Sequence, residues 1–134
     1  MSTKRSTLFV PHGAPTFALR PGAAGAALVA LAQRLDPPKA IIVVSPHWET
    51  QEPTIGSAAD LETIHDFGGF PAVLYTLKYP AHSDAAFAQQ LADQLQVAGY
   101  APRIDPHRGL DHGAWVPLRQ MFPDADVPVV PLSV

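Results

Sequence analysis

A mainly parallel or mixed α/β sheet flanked by helices is the fold class that this 134-residue sequence predicts. Short apolar runs alternate with Ala- and Leu-rich stretches of helical spacing, which is the order of an α/β domain. The run Ala40-Ile41-Ile42-Val43-Val44 is continuously apolar rather than alternating, as expected of a strand covered on both faces. The helical stretches end on Gly or Pro, so the elements are clearly punctuated. The length fits one domain, and residues 1–134 are taken as a single unit.

Thr7-Leu8-Phe9-Val10 is a short apolar run halted by Pro11 and Gly13, expected as a buried strand ending in a loop. Ala23 to Leu35 has Arg34 near its end and Pro37-Pro38 just beyond, which predicts a helix with a firm stop. Ala40 to Val44 is the strongest strand and ends at Ser45-Pro46. Residues 49–81 carry many Gly and Pro and predict an irregular segment with one short strand at Thr54-Ile55. Ser83 is placed as the N-cap of a helix through Val97, with Phe87, Leu91, Leu95 and Ala98 recurring at helical spacing. Gly99 stands where such a helix turns off. Ala101 to Ile104 predicts a weak strand and Trp115 to Phe122 a short helix before Pro123. Val127 to Val134 predicts a last strand interrupted by Pro128 and Pro131.

Composition removes several function classes. Nine Lys and Arg are scattered against twelve Asp and Glu, for a net charge of −3, so no basic stripe exists to meet a nucleic-acid backbone. No nucleic-acid partner is expected. The absence of cysteine excludes disulfides and thiolate ligands, leaving imidazole, carboxylate and water for any metal, and it fits a reducing cytoplasm. The charged start Met1–Ser6 is followed by an apolar stretch too short for a signal peptide, and no run reaches the ~20 residues of a membrane span. A cytoplasmic protein without a membrane partner is the expectation.

In parallel sheets the ligand site lies beyond the carboxyl ends of the strands, which gives the histidine positions meaning. His12 falls two residues after the first expected strand and His47 three residues after the strongest one. If both strands run the same way, the two imidazoles emerge at one edge, an arrangement that suits a divalent metal. Pro11, Pro15 and Pro46 stiffen the two loops. His112 precedes the expected Trp115 helix, and Asp111 beside it is open to either of two roles, capping that helix or orienting an imidazole. His112 itself reads as acid, base or ligand. His65 lies in a glycine-rich loop that could line a pocket, whereas His82 and His107 read as surface residues. Trp48, Phe67, Phe70 and Trp115 flank these histidines and would suit either core or the walls of a pocket for a flat ring.

Four ordered segments carry a family likeness: Pro11-His12-Gly13-Ala14-Pro15, Val44-Ser45-Pro46-His47-Trp48, Thr63 through Pro71, and Gly109-Leu110-Asp111-His112-Gly113-Ala114-Trp115. Phe122 through Val129 fits as well. In these segments the chain resembles the class III extradiol ring-cleaving dioxygenases of the 4,5-DOPA dioxygenase type, in the superfamily of protocatechuate 4,5-dioxygenase catalytic subunits. The resemblance implies that His12 and His47 bind one metal, Fe(II), with zinc the alternative in purified protein. It implies that His112 is catalytic, orienting or protonating substrate and oxygen, and it leaves His65 as a substrate-pocket residue. The implied reaction opens a catechol ring beside its two hydroxyls with O2.

The same resemblance implies a protein about twice as long, with a third metal ligand and a further active-site histidine beyond residue 134. On it, residues 1–134 are expected to be the N-terminal half of the catalytic domain, needing the other half for activity. The unpaired edge of half a sheet predicts association, with a second copy or with a complementing C-terminal segment. The alternative from another class is a metal-binding or interaction module that keeps the fold without turnover. A zinc hydrolase is the weaker third reading, since the chain has no His-Glu-x-x-His helix.

Overall fold

Val129 and Val130 are neighbours in the chain, both fully buried, and they belong to two different cores on opposite faces of one sheet. Alternation along a strand requires this when both faces are covered. The computed structural model describes Arg5 and residues 7–134, so the start of the chain on which the signal-peptide reading rests lies, Arg5 apart, outside the described residues. Its strands are β1 (Ile41–Val44), β2 (Thr54–Gly56), β3 (Arg103–Asp105) and β4 (Val129–Leu132), in the order β1-β4-β2-β3. β1 pairs parallel with β4 and β2 parallel with β3, while β2 meets β4 antiparallel at the single pair Ile55 and Leu132. The sheet is mixed and open, as expected.

Helices α1 (Gly22–Arg34), α2 (Ala85–Val97) and α3 (His112–Met121) complete the layers. α3 is the buried one: Trp115 and Val116 are fully enclosed and join Leu61, Leu74, Tyr79, Leu110 and Val129 in the larger core. α1 packs on α3, with a Gly25 that has no room for a side chain because Pro21 fills the space. On the other face, Ala88 and Ala92 of α2 lie with Ile55 and Val130 in the smaller core.

Several expectations need correction. Thr7–Val10 forms no strand, and Phe9 is fully exposed. An extended segment becomes a strand only by pairing, and no described residue pairs with it. β1 is not covered on both faces: Ile41 and Val43 pack on the core, whereas Ile42 and Val44 are exposed. β1 is the end strand, and no described layer covers its outer face. The α2 cap is Asp84, whose side chain accepts from the Phe87 N–H at 3.0 Å, while Ser83 donates instead to the Gly56 carbonyl. α3 begins at His112, three residues ahead of Trp115, because Asp111 caps it by accepting from the Gly113 N–H. Gly99 does follow α2, at φ 96°, a conformation glycine adopts without strain. Among the described residues no helix is long and apolar enough to cross a membrane.

Candidate metal centre

Three segments far apart in sequence deliver one imidazole each. His12 sits in a loop that runs into a 3-10 turn, Pro15–Ala18; the Ala18 carbonyl accepts from Arg119 of α3 and so ties the loop to that helix. Gly13 beside it takes φ 60°, a left-handed value that side chains disfavour. His47 follows the carboxyl end of β1, and its backbone N–H donates to Ser45 Oγ at 3.2 Å. His112 is the first residue of α3, buried where the other two are more open.

The rings meet. Centroids of His12 and His47 are 5.0 Å apart, His12 and His112 5.1 Å, and His47 and His112 4.2 Å. One ring nitrogen from each lies within 4.8 Å of the others. Two nitrogens bound to one ion at about 2.1 Å lie at most about 4.2 Å apart, so the group needs only a small contraction to share a metal. Buried His12 Nδ1 has no hydrogen-bond partner among the described residues, which suits a nitrogen that binds an ion or a ligand. Neutral imidazole is a common ligand for iron and zinc. The donor set therefore fits a transition metal.

A second segment frames the group. Leu110 donates to the Glu62 carbonyl and its own carbonyl accepts from Ile64, so residues 62–64 run alongside the entry to α3. Gly109 makes the approach possible, because a Cβ there would collide with the Glu62 backbone. This pairing brings Asp66 to His112: its Oδ1 accepts from the His112 backbone N–H at 2.9 Å. The same oxygen is 2.9 Å from His112 Nδ1, but off the line of a ring N–H, so this is a close polar contact rather than an aligned hydrogen bond. Burial pushes the Asp66 carboxyl up, yet the hydrogen bond from the His112 backbone and the contact with its ring outweigh it, and the group sits below the usual aspartate value.

His65 is near the centre but not part of the imidazole group. Its Nε2 lies 2.9 Å from the Leu77 carbonyl, and its ring packs among Phe67, Tyr75 and Trp115. Phe67 bridges the two, with its ring perpendicular to His112 at 5.7 Å and in edge contact with Phe70 at 5.4 Å. An aromatic wall thus stands beside the imidazoles. Trp48 is buried and Trp115 wholly so, with its indole N–H donated to Ile64. His82 and His107 are exposed and outside the imidazole group, as the sequence led us to expect. Asp66, Ser45 and Arg108 were not singled out by sequence, since nothing in the spacing ties residue 66 to residue 112.

A family model described as the catalytic LigB subunit of aromatic ring-opening dioxygenase matches residues 24–134. The chain belongs to this family. It is 42% identical over 134 residues to a 4,5-DOPA dioxygenase extradiol of Beta vulgaris, covering 97% of this chain and 50% of that protein. It is 41% identical to a 4,5-DOPA dioxygenase extradiol of Escherichia coli K12, covering 99% of this chain and 49% of that one. A crystal structure described as uncharacterized protein JW3007 from Escherichia coli K12 superimposes with a TM-score of 0.66 at 34% identity, over 84% of this chain and 41% of that one. This LigB-family chain thus spans about half the length of the relatives it matches, and all of the imidazole group falls within that half.

Proposed function

We propose that the chain is the N-terminal part of an extradiol dioxygenase, a single partial catalytic domain of a cytoplasmic enzyme that opens a DOPA-like catechol with O2. The convergence of His12, His47 and His112 within 4.8 Å is the observation that carries this reading. Family membership and the relatives' names support it. His12 and His47 hold the metal, Fe(II) in the working enzyme, with zinc able to take the same nitrogens without supporting the chemistry. The chemistry a bound Fe(II) supplies is a common site for catecholate and O2 and a route for electrons from ring to oxygen.

The chain's own residues do the rest. His112, fixed by Asp66 through its backbone, stands beside the ligand pair as the group that orients substrate and passes a proton. Phe67 and its aromatic neighbours offer a flat, water-excluding wall, with His65 behind it as a pocket residue. Because the chain spans half the length of its relatives, turnover is proposed to need the complementary half, and a second reading has these residues binding metal without catalysis.

Metal content and ring cleavage test the assignment together. Anaerobically loaded His12→Ala or His47→Ala is expected to lose iron, whereas His112→Phe keeps it and turns over about 10²–10⁴-fold more slowly once paired with the complementary half. Normal iron content and normal cleavage in the His12 or His47 variant would sink the assignment. Loss of iron from His112→Phe would move that residue among the ligands.

A further inference from the structure

Asp111 is almost wholly buried and its carboxylate serves three donors at once. Its Oδ1 accepts from Ser45 Oγ at 2.5 Å and from the Gly113 N–H at 2.9 Å, while its Oδ2 accepts from Arg108 Nη2 at 3.1 Å. Ser45 is also buried, and its hydroxyl oxygen in turn receives the His47 backbone N–H at 3.2 Å. A continuous chain of contacts therefore runs from Arg108 through Asp111 and Ser45 to the residue that presents the His47 ring.

The loop is held on its other side too. Trp48 follows His47, and the Arg108 guanidinium lies over its indole face, 5.1 Å from the ring centroid. Both chain neighbourhoods of His47 are thus tied to the segment 108–113 that presents His112. Gly113 shows how tight the junction is: a Cβ there would overlap Ser45 Oγ and come within 2.9 Å of His47 Cδ2. A helix cap alone needs only the Gly113 N–H bond. It does not require a buried serine from a strand end 66 residues away.

We propose that Ser45, Asp111 and Arg108 are positioning residues that fix the loop presenting His47 against the start of α3, so that this ligand is preorganised for the metal. The inference rests on the metal-binding reading above and adds to it the device that fixes the geometry. A hydrogen-bonded shell that locks ligand orientation commonly changes metal affinity by 10–100-fold when broken. Removing the Ser45 hydroxyl leaves the Asp111 cap on α3 in place, which separates positioning from folding.

Zinc affinity of the 134-residue protein, measured by competition with a chromophoric chelator, tests it alongside melting of the zinc-free protein. Ser45→Ala is expected to bind Zn²⁺ about 10–100-fold more weakly while remaining folded without metal, and Ser45→Thr to restore most of the affinity. Asp111→Asn, which keeps an acceptor for the Gly113 N–H but loses the charge shared by Ser45 and Arg108, is expected to weaken binding in the same direction. It supplies the reading if Ser45→Ala does not fold. Wild-type protein that binds Zn²⁺ and a folded Ser45→Ala or Asp111→Asn that binds equally tightly would overturn the positioning role alone. Wild-type protein that takes up no Zn²⁺ would overturn the metal reading, and this inference with it.

Discussion

Tyr79 is 1% exposed and donates its hydroxyl to the Phe122 carbonyl at 2.9 Å. Burial, and secondarily the nearby charge of Asp126, push its phenol up to about 12 from an ordinary value of 10.0. A group whose value rises on folding contributes stability that is fully present below its unfolded value and lost as pH climbs through the folded one. Between pH 10.0 and about 12 the protein should therefore lose on the order of 2 kcal/mol through this one side chain. Urea unfolding of Tyr79→Phe across that range is expected to show the alkaline slope reduced, at the cost of the hydrogen bond to Phe122 at neutral pH. An unchanged slope would place the alkaline loss elsewhere. Asp66 obeys the opposite rule: its lowered value stabilises the fold above an unfolded value near 3.8, and that contribution fades as pH falls below it.

Among the elements, β4 is unusual because it carries a proline inside the sheet. Pro131 lies opposite Val43 of β1 in a parallel ladder, where a missing N–H removes a ladder bond. The structure accommodates it through Gly56 of β2, whose absent side chain leaves space for the proline ring. A Cβ at residue 56 would overlap Pro131 Cγ and lie 3.1 Å from its Cδ. Neither atom belongs to a flexible side-chain end, so the strain cannot be relieved cheaply. Gly56→Ala is expected to destabilise the protein by about 1–3 kcal/mol, read as a lower urea midpoint. A midpoint equal to that of the wild type would show that β2 and β4 can move apart without cost.

At the scale of the whole molecule, the end strand β1 leaves part of its apolar surface uncovered. Ile42 and Val44 of β1 are 43% and 51% exposed, and Leu8 and Phe9 add to the exposed apolar residues. An uncovered end strand with apolar side chains is a template for further pairing. Association through this strand is the expectation its uncovered apolar face supports. The isolated 134-residue chain is expected to associate with rising concentration in sedimentation velocity, and the double variant Ile42→Lys, Val44→Lys to associate less. Equal association of both would take the driving surface away from β1.

Much of this was legible in the sequence because it depends on neighbours in the chain. The Ala- and Leu-rich run gave α1 within a residue at each end, and Gly99 marked the end of α2 by its conformational freedom alone. Placing His47 just past a strong strand was enough to expect it at the ligand edge of the sheet. Residues 7–10 show where local pattern stops: they are apolar and β-prone, but a strand is a paired object, and pairing is not a local property. The same holds for the capping choice between Ser83 and Asp84, made by the Gly56 carbonyl that Ser83 finds across the fold. By itself, then, the sequence determined the α/β class, most of the elements and the histidines worth watching. Only the tertiary structure decided that three imidazoles share one centre, that Asp66 and Ser45 brace it, and that His65 stands behind an aromatic wall, because those relations join residues dozens of positions apart through packing that no periodicity encodes.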